Sequence, residues 1–272
     1  AEKNDVEIAR KENEAILQLR QLLKGEAKLN ARIDDEFLRR FVRVRKCDVD
    51  AALRTVQNYY GNRAKCPQVY SDFVPSSIDA VTRNSIMILP SKDIHGRHVL
   101  LHKAGFQPLE RGTYERGQKA LLLCLERIAA DPVSQTTGMT FIVDSDGFNL
   151  NMLFRCNLGL MRRFLEYLQD CMPMKLKALH FVHESRAIDV LYGLLRPFLK
   201  RKLTERLHFH GKNHENLLKE MPPNTLPKEY GGEADALDFE GFWRQLEEEE
   251  TLFVENNTFG YVDGNAEHGE PR

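Results

Sequence analysis

The chain has 272 residues, of which 42% are hydrophobic and 29% are charged, and its formal net charge is −1 at pH 7. This length suffices for one large α/β domain and a smaller helical domain. The balanced charge excludes a generally basic nucleic-acid-binding protein and a protein held to membranes by overall charge, so we expect no nucleic-acid partner, and any membrane role depends on local patches.

Cysteine usage and the amino-terminal composition indicate the compartment. The five cysteines are odd in number and form no C-x-x-C pair, so they signal neither a disulfide framework nor a zinc site. Residues 2–14 are highly charged, without an apolar signal segment, and no stretch approaches the roughly 20 apolar residues of a membrane span. We expect a soluble, cytoplasmic protein with reduced thiols.

Three amphipathic helices are predicted near the amino terminus. Apolar residues recur at helical spacing in residues 5–24, in residues 35–46, and from the N-cap Asp48 to Gly61. In the second helix we expect the arginines to lie on the surface. Residues 1–70 are therefore predicted to form a small helical domain.

Beyond Pro75 the pattern changes to strands alternating with helices. Residues 85–89 and 98–102 read as two strands joined by a turn. Helices are then predicted at about 113–130, 150–171 and 187–201, and strands at 140–143, 178–182 and 207–209. This alternation predicts a mostly parallel sheet in an α/β domain over residues 71–250, followed by a polar tail at 251–272.

The strand at residues 141–143 runs directly into the acidic turn Asp144–Gly147. A nucleotide-binding unit would place a glycine-rich phosphate loop here, but neither G-x-G-x-x-G nor G-x-x-x-x-G-K-[ST] occurs in the sequence. The sheet is therefore expected to bind something other than a nucleotide.

Catalytic and metal-binding interpretations have little support. Asp144, Asp146 and Glu184 have the chemistry of a general acid and base, but turn and cap roles account for them more simply. His208 and His210 point the same way on a strand, yet no acidic or cysteine ligand follows at metal-binding spacing. We expect no enzymatic activity, no metal and no cofactor.

Several motifs occur in a distinctive order along the chain. They are the arginine-rich segment 35–46, Asp48–Leu53 with Tyr59 and Tyr60, FIVDSDG at 141–147, KLKALH at 175–180, RPFL at 196–199, ERLHFHG at 205–211 and LPKEYGG at 226–232. In order and spacing they resemble the CRAL-TRIO family of lipid-binding proteins, in the branch of α-tocopherol transfer protein and cellular retinaldehyde-binding protein. The resemblance covers about residues 30–245.

The resemblance implies a pocket for one tocopherol- or retinoid-like molecule between the sheet and a mobile lid helix. The residue pattern supports such a helix, because Ile188, Leu191, Leu195 and Phe198 share one face and Pro197 would kink or end it. An apolar helical stripe is, however, also the ordinary pattern of a core helix.

Ten apolar residues are candidates for the pocket wall, and we expect about half of them to contact a ligand. They are Phe141, Val143, Phe148, Leu158, Leu165, Leu168, Phe181, Ile188, Leu191 and Phe198. Four further residues carry the polar groups to bind the ligand's polar end, and no spacing argument selects among Tyr114, His180, Glu184 and Tyr192.

A basic cluster is the second candidate site. Lys175 and Lys177 alternate on a strand and so share a face, and Lys202 and Arg206 would share a face if their segment is helical. In the resemblance these four positions match a phosphoinositide-binding cluster, which implies reversible, peripheral docking to anionic membranes. A solvated basic face is the other interpretation. The run from Arg39 to Arg45 is expected to be structural.

Three classes of function remain open. The first is a carrier that exchanges a lipophilic ligand at membranes, with a phosphatidylinositol-type phospholipid as the alternative cargo. The second is a lipid-sensing adaptor in membrane trafficking or signalling, and the third is an α/β enzyme. The sequence does not distinguish the lipophilic ligands from one another, because packing sets the shape of a pocket.

Overall fold

The computed structural model describes residues 2–106, 110 and 112–262, with side chains from residue 6 onward. The amino-terminal part is helical and includes one short strand. Its elements are α1 (Glu2–Lys24), β1 (Leu29–Asn30), α2 (Asp35–Val44), α3 (Val49–Lys65) and α4 (Pro67–Tyr70).

Local capping explains where these helices begin. The side chain of Asp34 accepts a hydrogen bond from the Phe37 N–H at 3.0 Å, which caps α2. Asp48 caps α3 in the same way by accepting from the Ala51 N–H at 2.9 Å. The helices then pack around buried aromatic rings, including Phe37 and Tyr59, which meet edge to face.

The following α/β part supplies the sheet and the helices that cover it. Its strands are β2 (Ile86–Ile88), β3 (His98–Lys103), β4 (Met139–Asp144), β5 (Leu176–Val182) and β6 (Leu207–Phe209). Its helices are α5 (Ala80–Arg83), α6 (Thr113–Ala130), α7 (Pro132–Thr137), α8 (Leu150–Arg155), α9 (Leu158–Glu166), α10 (Arg186–Leu195), α11 (Arg201–Thr204), α12 (Glu215–Lys219) and α13 (Phe239–Glu248).

Within the described residues these strands form a five-stranded sheet in the order β2-β3-β4-β5-β6. Strand β2 is antiparallel to β3, and the other neighbouring strands are parallel. The register aligns His102, Val143 and Phe181 in one row across three strands. The predicted α/β class, with a mostly parallel sheet behind a helical region, is confirmed.

The two faces of the sheet pack against different partners. Phe141 and Leu179 belong to the large core that includes α6 and the amino-terminal helices. Ile142 and Val182 face the other way and form a smaller core with residues such as Tyr230. This alternation follows from the two-residue period of a strand, and it separates the chemistry of the two faces.

Two helices predicted as continuous are interrupted. The predicted helix at 150–171 consists of α8, α9 and a π-helical turn at Tyr167–Cys171, because Cys156 is extended and Asn157 caps a new helix by accepting from the Leu160 N–H. The predicted helix at 187–201 ends at Leu195, and a 3-10 turn containing Pro197 follows it.

A buried ion pair joins the helical part to the α/β part. Arg40 Nη1 on α2 lies 3.6 Å from Glu126 Oε2 on α6, and each side chain is only 6% exposed. The expectation that the arginines of α2 lie on the surface is therefore wrong for Arg40. The physical reason is that α2 packs against α6, which covers this position and supplies the opposite charge.

The segment predicted as a polar tail is partly folded. Residues 250–256 form helix α14 (Glu250–Asn256), whose Phe253 is buried. Strand β7 (Gly260–Tyr261) then pairs with β1 in antiparallel register, Leu29 opposite Tyr261. Apolar side chains that pack on the core account for this difference from the predicted tail, and residues 263–272 lie outside the described residues.

No helix in the described part of the chain combines the length and apolar character that crossing a bilayer requires.

Candidate functional site

A cavity of about 590 Å³ lies between the sheet and the helices that cover it. Strands β3, β4 and β5 form its floor with side chains that alternate onto the same face. Helices α6, α8, α9 and α10 supply most of the other lining residues. The volume lies within the roughly 300–1,000 Å³ typical of sites for a single small molecule.

Eight of the ten predicted wall residues line this cavity, namely Phe141, Val143, Phe148, Leu165, Leu168, Phe181, Ile188 and Leu191. Leu158 and Phe198 lie outside its wall and are 43% and 41% exposed. Leu158 begins a new helix after the interruption at Asn157, and Phe198 follows the end of α10. Each break changes the direction of the side chain from the one that a continuous helix predicts.

Leu195, which the sequence placed on the apolar face of the lid helix, also lines the cavity. Further apolar wall residues come from helices and were not predicted, among them Leu121, Met152, Met161 and Phe164. Their sequence pattern is the helical stripe of any core helix, so no signal in the sequence marks them. Only the packing of α6, α8, α9 and α10 against the sheet directs them into the cavity.

Of the four candidates for a polar contact, only Tyr114 lines the cavity. His180 points to the opposite face of the sheet because it occupies the alternate position on β5. Glu184 instead accepts a hydrogen bond from the His210 N–H at 2.7 Å, and the Tyr192 ring packs edge to face on Phe209.

The cavity also contains a polar residue on its floor that the sequence analysis did not select. His102 lies beside Val143 in the otherwise apolar row, and burial lowers the pKa of its imidazole to about 4, so the ring is neutral at pH 7. Burial also raises the pKa of Tyr114 well above its ordinary value. The charged residues Glu110, Glu115 and Arg155 contribute to the wall as well. The arrangement suits a ligand with an apolar body and a polar end.

Helix α10 closes one side of the cavity. The Ser185 hydroxyl caps it by accepting from the Ala187 N–H, and the same hydroxyl donates to the Phe148 carbonyl at 2.7 Å. Ile188 and Leu191 face inward, whereas Val190 is 39% exposed on the outer side. Gly193 has open space around the position of a side chain.

Helices α8, α9 and α10 and the turn after α10 carry exposed apolar side chains, called here the exposed apolar surface: Leu150, Phe154, Leu158, Val190, Leu194 and Phe198. Phe154 is 79% exposed. Exposed large apolar side chains gathered on neighbouring elements are typical of contact with another surface or a membrane.

Of the predicted basic cluster, Lys175 directly precedes β5 and Lys177 lies near its start, where the register with β4 shifts, so the regular alternation predicted for these two residues is interrupted. Gly138 adopts φ +83°, and a side chain there would meet the Lys175 carbonyl and Lys177 Cγ at 2.4 and 2.7 Å, so only glycine admits the Lys177 stem. Helix α11 ends at Thr204, so Arg206 lies beyond it and the predicted shared helical face with Lys202 does not form.

Burial and then the positive charges of Lys177, Lys46, Arg206 and Arg45 lower the pKa of Lys175. Within the described residues, Lys175, Lys177, Lys202 and Arg206 form no ion pair. The neighbouring cations differ, because Lys200 pairs with Asp170 at 2.5 Å and Arg201 with Glu205 at 2.7 Å.

The arginine run of α2 is engaged in the fold. Arg39 and Arg43 both pair with Glu12, at 3.3 and 3.0 Å. Arg45 Nε donates to the Thr55 hydroxyl at 2.7 Å. These contacts agree with the structural role expected for the run.

The residues considered for acid–base chemistry lie on the face away from the cavity. Asp144 accepts hydrogen bonds from the Tyr230 hydroxyl at 2.6 Å and the Asp146 N–H at 3.0 Å, and His183 Nδ1 lies 2.8 Å from it. Burial raises the pKa of Asp144, but these contacts outweigh it and lower the pKa overall. The carboxylate holds the turn after β4.

Histidines on this face pack against one another. His180 Nδ1 lies 2.9 Å from His210 Nε2, and the His180 ring stacks on both His208 and His210. Burial, and after it the charges of His210 and His208, lower the pKa of His180 to about 3. Among the described side chains, no group of three or more His, Cys, Asp or Glu residues is placed to hold a metal ion.

The fold and the cavity define a ligand-binding α/β protein, and comparison with known proteins identifies the family. The family model described as CRAL/TRIO domain matches residues 82–232, and the one described as "Pinta-like, UBA domain" matches residues 8–78. The chain therefore belongs to the CRAL/TRIO domain family.

Similar proteins agree with this assignment. Alpha-tocopherol transfer protein-like from Mus musculus is 34% identical over 211 residues, which cover 77% of this chain and 62% of that protein. The Homo sapiens protein of the same name is 32% identical, with 81% of this chain and 65% of that protein covered. Clavesin-1 from Mus musculus is 30% identical over 87% of this chain and 67% of its own length. The chain thus spans somewhat under two thirds of the length of the tocopherol transfer protein-like relatives.

Among solved structures, the crystal structure of Sfh5 resembles the chain with a TM-score of 0.50, covering 82% of this chain and 94% of that one. Because the sequences are 14% identical, this likeness concerns the fold alone.

Proposed function

We propose that this protein binds one small lipophilic molecule, tocopherol- or retinoid-like, in the cavity and exchanges it at phosphoinositide-containing membranes. The observation that carries the proposal is the largely apolar cavity of about 590 Å³ that α10 and the sheet line. The name of the tocopherol transfer protein-like relatives supports the ligand class. On this proposal the protein is a cytoplasmic carrier, without enzymatic activity or a cofactor.

Energetics favour such a carrier in water. A ligand that buries about 400 Å² of apolar surface gains on the order of 10 kcal/mol on leaving water, at about 25 cal/mol per Å². A bilayer offers the ligand a comparably apolar environment, so exchange becomes feasible where the cavity opens against lipid. The exposed apolar surface lies on the same helices that wall the cavity, and it would bring α10 to the bilayer.

The basic cluster supports docking to an anionic leaflet. Lys175, Lys177, Lys202 and Arg206 are available to phosphate groups because none of them is paired with a described carboxylate. Each basic residue near an anionic leaflet contributes about 1 kcal/mol, so four provide reversible attachment. Leu158 and Phe198, which do not line the cavity, are assigned here to membrane contact.

The ligand is tested first. The purified protein would be analysed by native mass spectrometry, and any bound molecule would be extracted and identified. A single lipophilic species at one copy per chain supports the carrier. A bound phosphatidylinositol would favour the phospholipid carrier, and a protein that stays empty and refuses tocopherol, retinol and phosphatidylinositol would contradict the proposal and favour an adaptor.

Docking is tested separately with vesicles that contain phosphatidylinositol phosphates. A variant with Lys175, Lys177, Lys202 and Arg206 all changed to Gln should bind such vesicles at least about tenfold more weakly while keeping its ligand affinity. The matched control is the double variant Lys200→Gln and Arg201→Gln, because those neighbouring cations are already paired. Equal loss of docking in both variants would contradict a specific site.

A further inference from the structure

Two polar residues of the cavity wall, His102 on β3 and Gln118 on α6, each have a buried side-chain atom without a hydrogen-bond partner. Gln118 Nε2 donates to the Leu160 carbonyl of α9 at 3.3 Å. Gln118 Oε1 and His102 Nε2 have no partner among the residues that the structure describes, and no other described wall residue has such an atom. Because buried polar groups are normally paired, unpaired ones beside a cavity are candidates for contact with a ligand.

Both residues belong to the end of the cavity formed by β3 and α6. In the register of the sheet, His102 pairs with Ile86 of β2 and Val143 of β4, so it lies toward one side of the floor. Helix α6, which carries Gln118, packs against β2 and β3. Tyr114, one turn before Gln118, lines the cavity from the same helix. The two unpaired atoms therefore come from elements that pack against each other.

The other end of the cavity is apolar. Strand β5 lies on the far side of β4 from β3, and α10 contacts that side through the Tyr192 ring, which packs on Phe209 of β6. Strand β5 and helix α10 contribute only apolar side chains to the wall, namely Leu179, Phe181, Ile188, Leu191 and Leu195. A ligand with one polar end would therefore meet polar partners beside α6 and apolar partners beside α10.

The chemistry of the two unpaired groups determines which polar end fits. Gln118 Oε1 can only accept a hydrogen bond, whereas a neutral imidazole has one donor and one acceptor nitrogen. His102 is neutral at pH 7 because burial lowers its pKa to about 4. A hydroxyl group both donates and accepts, so it suits both residues, whereas an aldehyde or an ether only accepts.

A carboxylate suits this end of the cavity poorly. Neither His102 nor Gln118 carries a positive charge to match it, and Glu110 and Glu115 add negative charge to the wall. Arg155 of the wall already interacts with other groups.

We propose that His102 and Gln118 bind the polar end of the ligand and select an alcohol or a phenol over the corresponding aldehyde, ether or carboxylic acid. The inference rests on the carrier function proposed above and narrows its cargo to lipophilic molecules with a free hydroxyl group. An analogue without the hydroxyl leaves the buried polar groups unpaired, which is why such a site discriminates against it. The apolar body of the ligand then extends toward β5 and α10.

The experiment is competition between matched ligands for the full chain, read by native mass spectrometry. Retinol competes with retinal, which differs only in its end group, and α-tocopherol competes with its methyl ether. The ratio of the two bound masses gives the selectivity directly. Wild type should prefer the hydroxyl compound of each pair by about tenfold.

Two substitutions test the assigned residues. His102→Phe keeps a ring without nitrogen, and Gln118→Leu keeps a similar volume without an acceptor. Each should reduce the preference to about threefold or less, because one of the two polar partners is lost. His102→Gln retains a polar atom near the position of Nε2 and should keep most of the preference. General damage to the cavity weakens both members of a pair alike and leaves the ratio unchanged.

Matched controls lie outside the cavity wall. His98→Phe changes a histidine of the same strand that contacts Asp131, and Gln135→Leu changes a buried glutamine that donates to the Ala129 carbonyl. Both should keep the wild-type ratio, and thermal unfolding checks that each variant is folded.

Three outcomes would overturn the inference. Wild type that binds both members of each pair equally would overturn it while leaving the carrier function intact. A ratio that stays at the wild-type value in both His102→Phe and Gln118→Leu would do the same. A protein that takes up none of the four compounds would contradict the proposed carrier function, and this inference would fail with it.

Discussion

Lys177 and Leu179 lie two residues apart on β5, and the boundary between the basic cluster and the cavity passes between them. Leu179 lines the cavity, whereas the Lys177 stem lies over Gly138. Because a strand rises about 3.3 Å per residue, the two positions are less than about 7 Å apart along the backbone. A headgroup and a lipophilic ligand would thus share one strand.

Filling the cavity should abolish ligand binding without unfolding the protein. Val143→Trp places a large ring in the space above β4, so we expect affinity for retinol or tocopherol to fall at least about tenfold, with little loss of stability because the ring enters empty volume rather than packed core. Ligand fluorescence titration and thermal unfolding measure the two effects. Val190→Trp, on the exposed side of α10, is the control and should bind as wild type does. Unchanged binding by Val143→Trp would place the ligand elsewhere.

The buried pair between Arg40 and Glu126 should be strongly coupled. Glu126→Gln leaves a buried guanidinium without its counter-charge, so we expect a loss of about 3 kcal/mol in the free energy of unfolding, measured by denaturant titration. The double variant Arg40→Met and Glu126→Leu should recover most of this loss. As a control, Arg163→Gln breaks the more exposed pair with Glu166 and should cost under about 1 kcal/mol. If the losses in unfolding free energy of the single variants at Arg40 and Glu126 simply add in the double variant, the two residues are not coupled.

Removal of the Asp144 charge should destabilise the turn after β4. Asp144→Asn weakens the contacts with the Tyr230 hydroxyl and His183, so we expect a loss of about 2 kcal/mol at pH 7. The pKa of Asp144 is lowered in the folded state, so its carboxylate stabilises the protein above about pH 4, and this contribution disappears as the pH falls further. The difference between variant and wild type should therefore shrink toward pH 3. The neighbouring exposed Asp146→Asn should change little, and a constant difference at all pH values would contradict the linkage.

The histidines should make the fold sensitive to mild acid. Burial and its histidine neighbours lower the pKa of His180 to about 3, whereas an unfolded histidine titrates near pH 6.5. Below about pH 6.5 the unfolded chain therefore binds a proton that folded His180 does not, and stability should fall by up to about 1.4 kcal/mol per pH unit.

His180→Phe removes this proton and retains a ring for stacking on His208, so its unfolding free energy should depend less steeply on pH between about 6 and 4. Urea titrations at several pH values give the slopes. His95→Phe, on the exposed hairpin turn, is the control. If the unfolding free energy of His180→Phe depends on pH as steeply as that of wild type, the acid sensitivity does not come from His180.

Strand periodicity accounts for part of the floor of the cavity. Phe141, Val143 and Phe181 line it because positions on one face of a strand follow a two-residue repeat, whereas His102 and Leu179 on the same floor were not selected from the sequence. Helical periodicity did not predict the position of Leu158 correctly. Asn157 caps a new helix there, so Leu158 does not continue the face of the preceding helix. Whether Leu158 lines the cavity therefore depends on a single helix cap, and a cap is a weaker sequence signal than a run of apolar residues.

Long-range charge partners were beyond sequence reasoning. Nothing in the pattern around Arg40 indicates Glu126 as its partner, and Lys46 is far in sequence from Lys175, although the two are electrostatic neighbours. Such pairs arise from the packing of α2 on α6 and α7, which depends on side chains from separate segments. The local pattern identified the cations at Lys175 and Lys177 but could not count all those that meet there.

The pairing of β1 with β7 has a mechanical consequence. The chain leaves the helical domain after α4 and returns to it at Tyr261, opposite Leu29, so the helical domain is attached to the rest of the protein at two points. A domain that is attached at two points does not rotate about a single linker. The helical domain and the sheet therefore form one frame, so on the proposed carrier function we expect the cavity to open within that frame rather than by a hinge between domains.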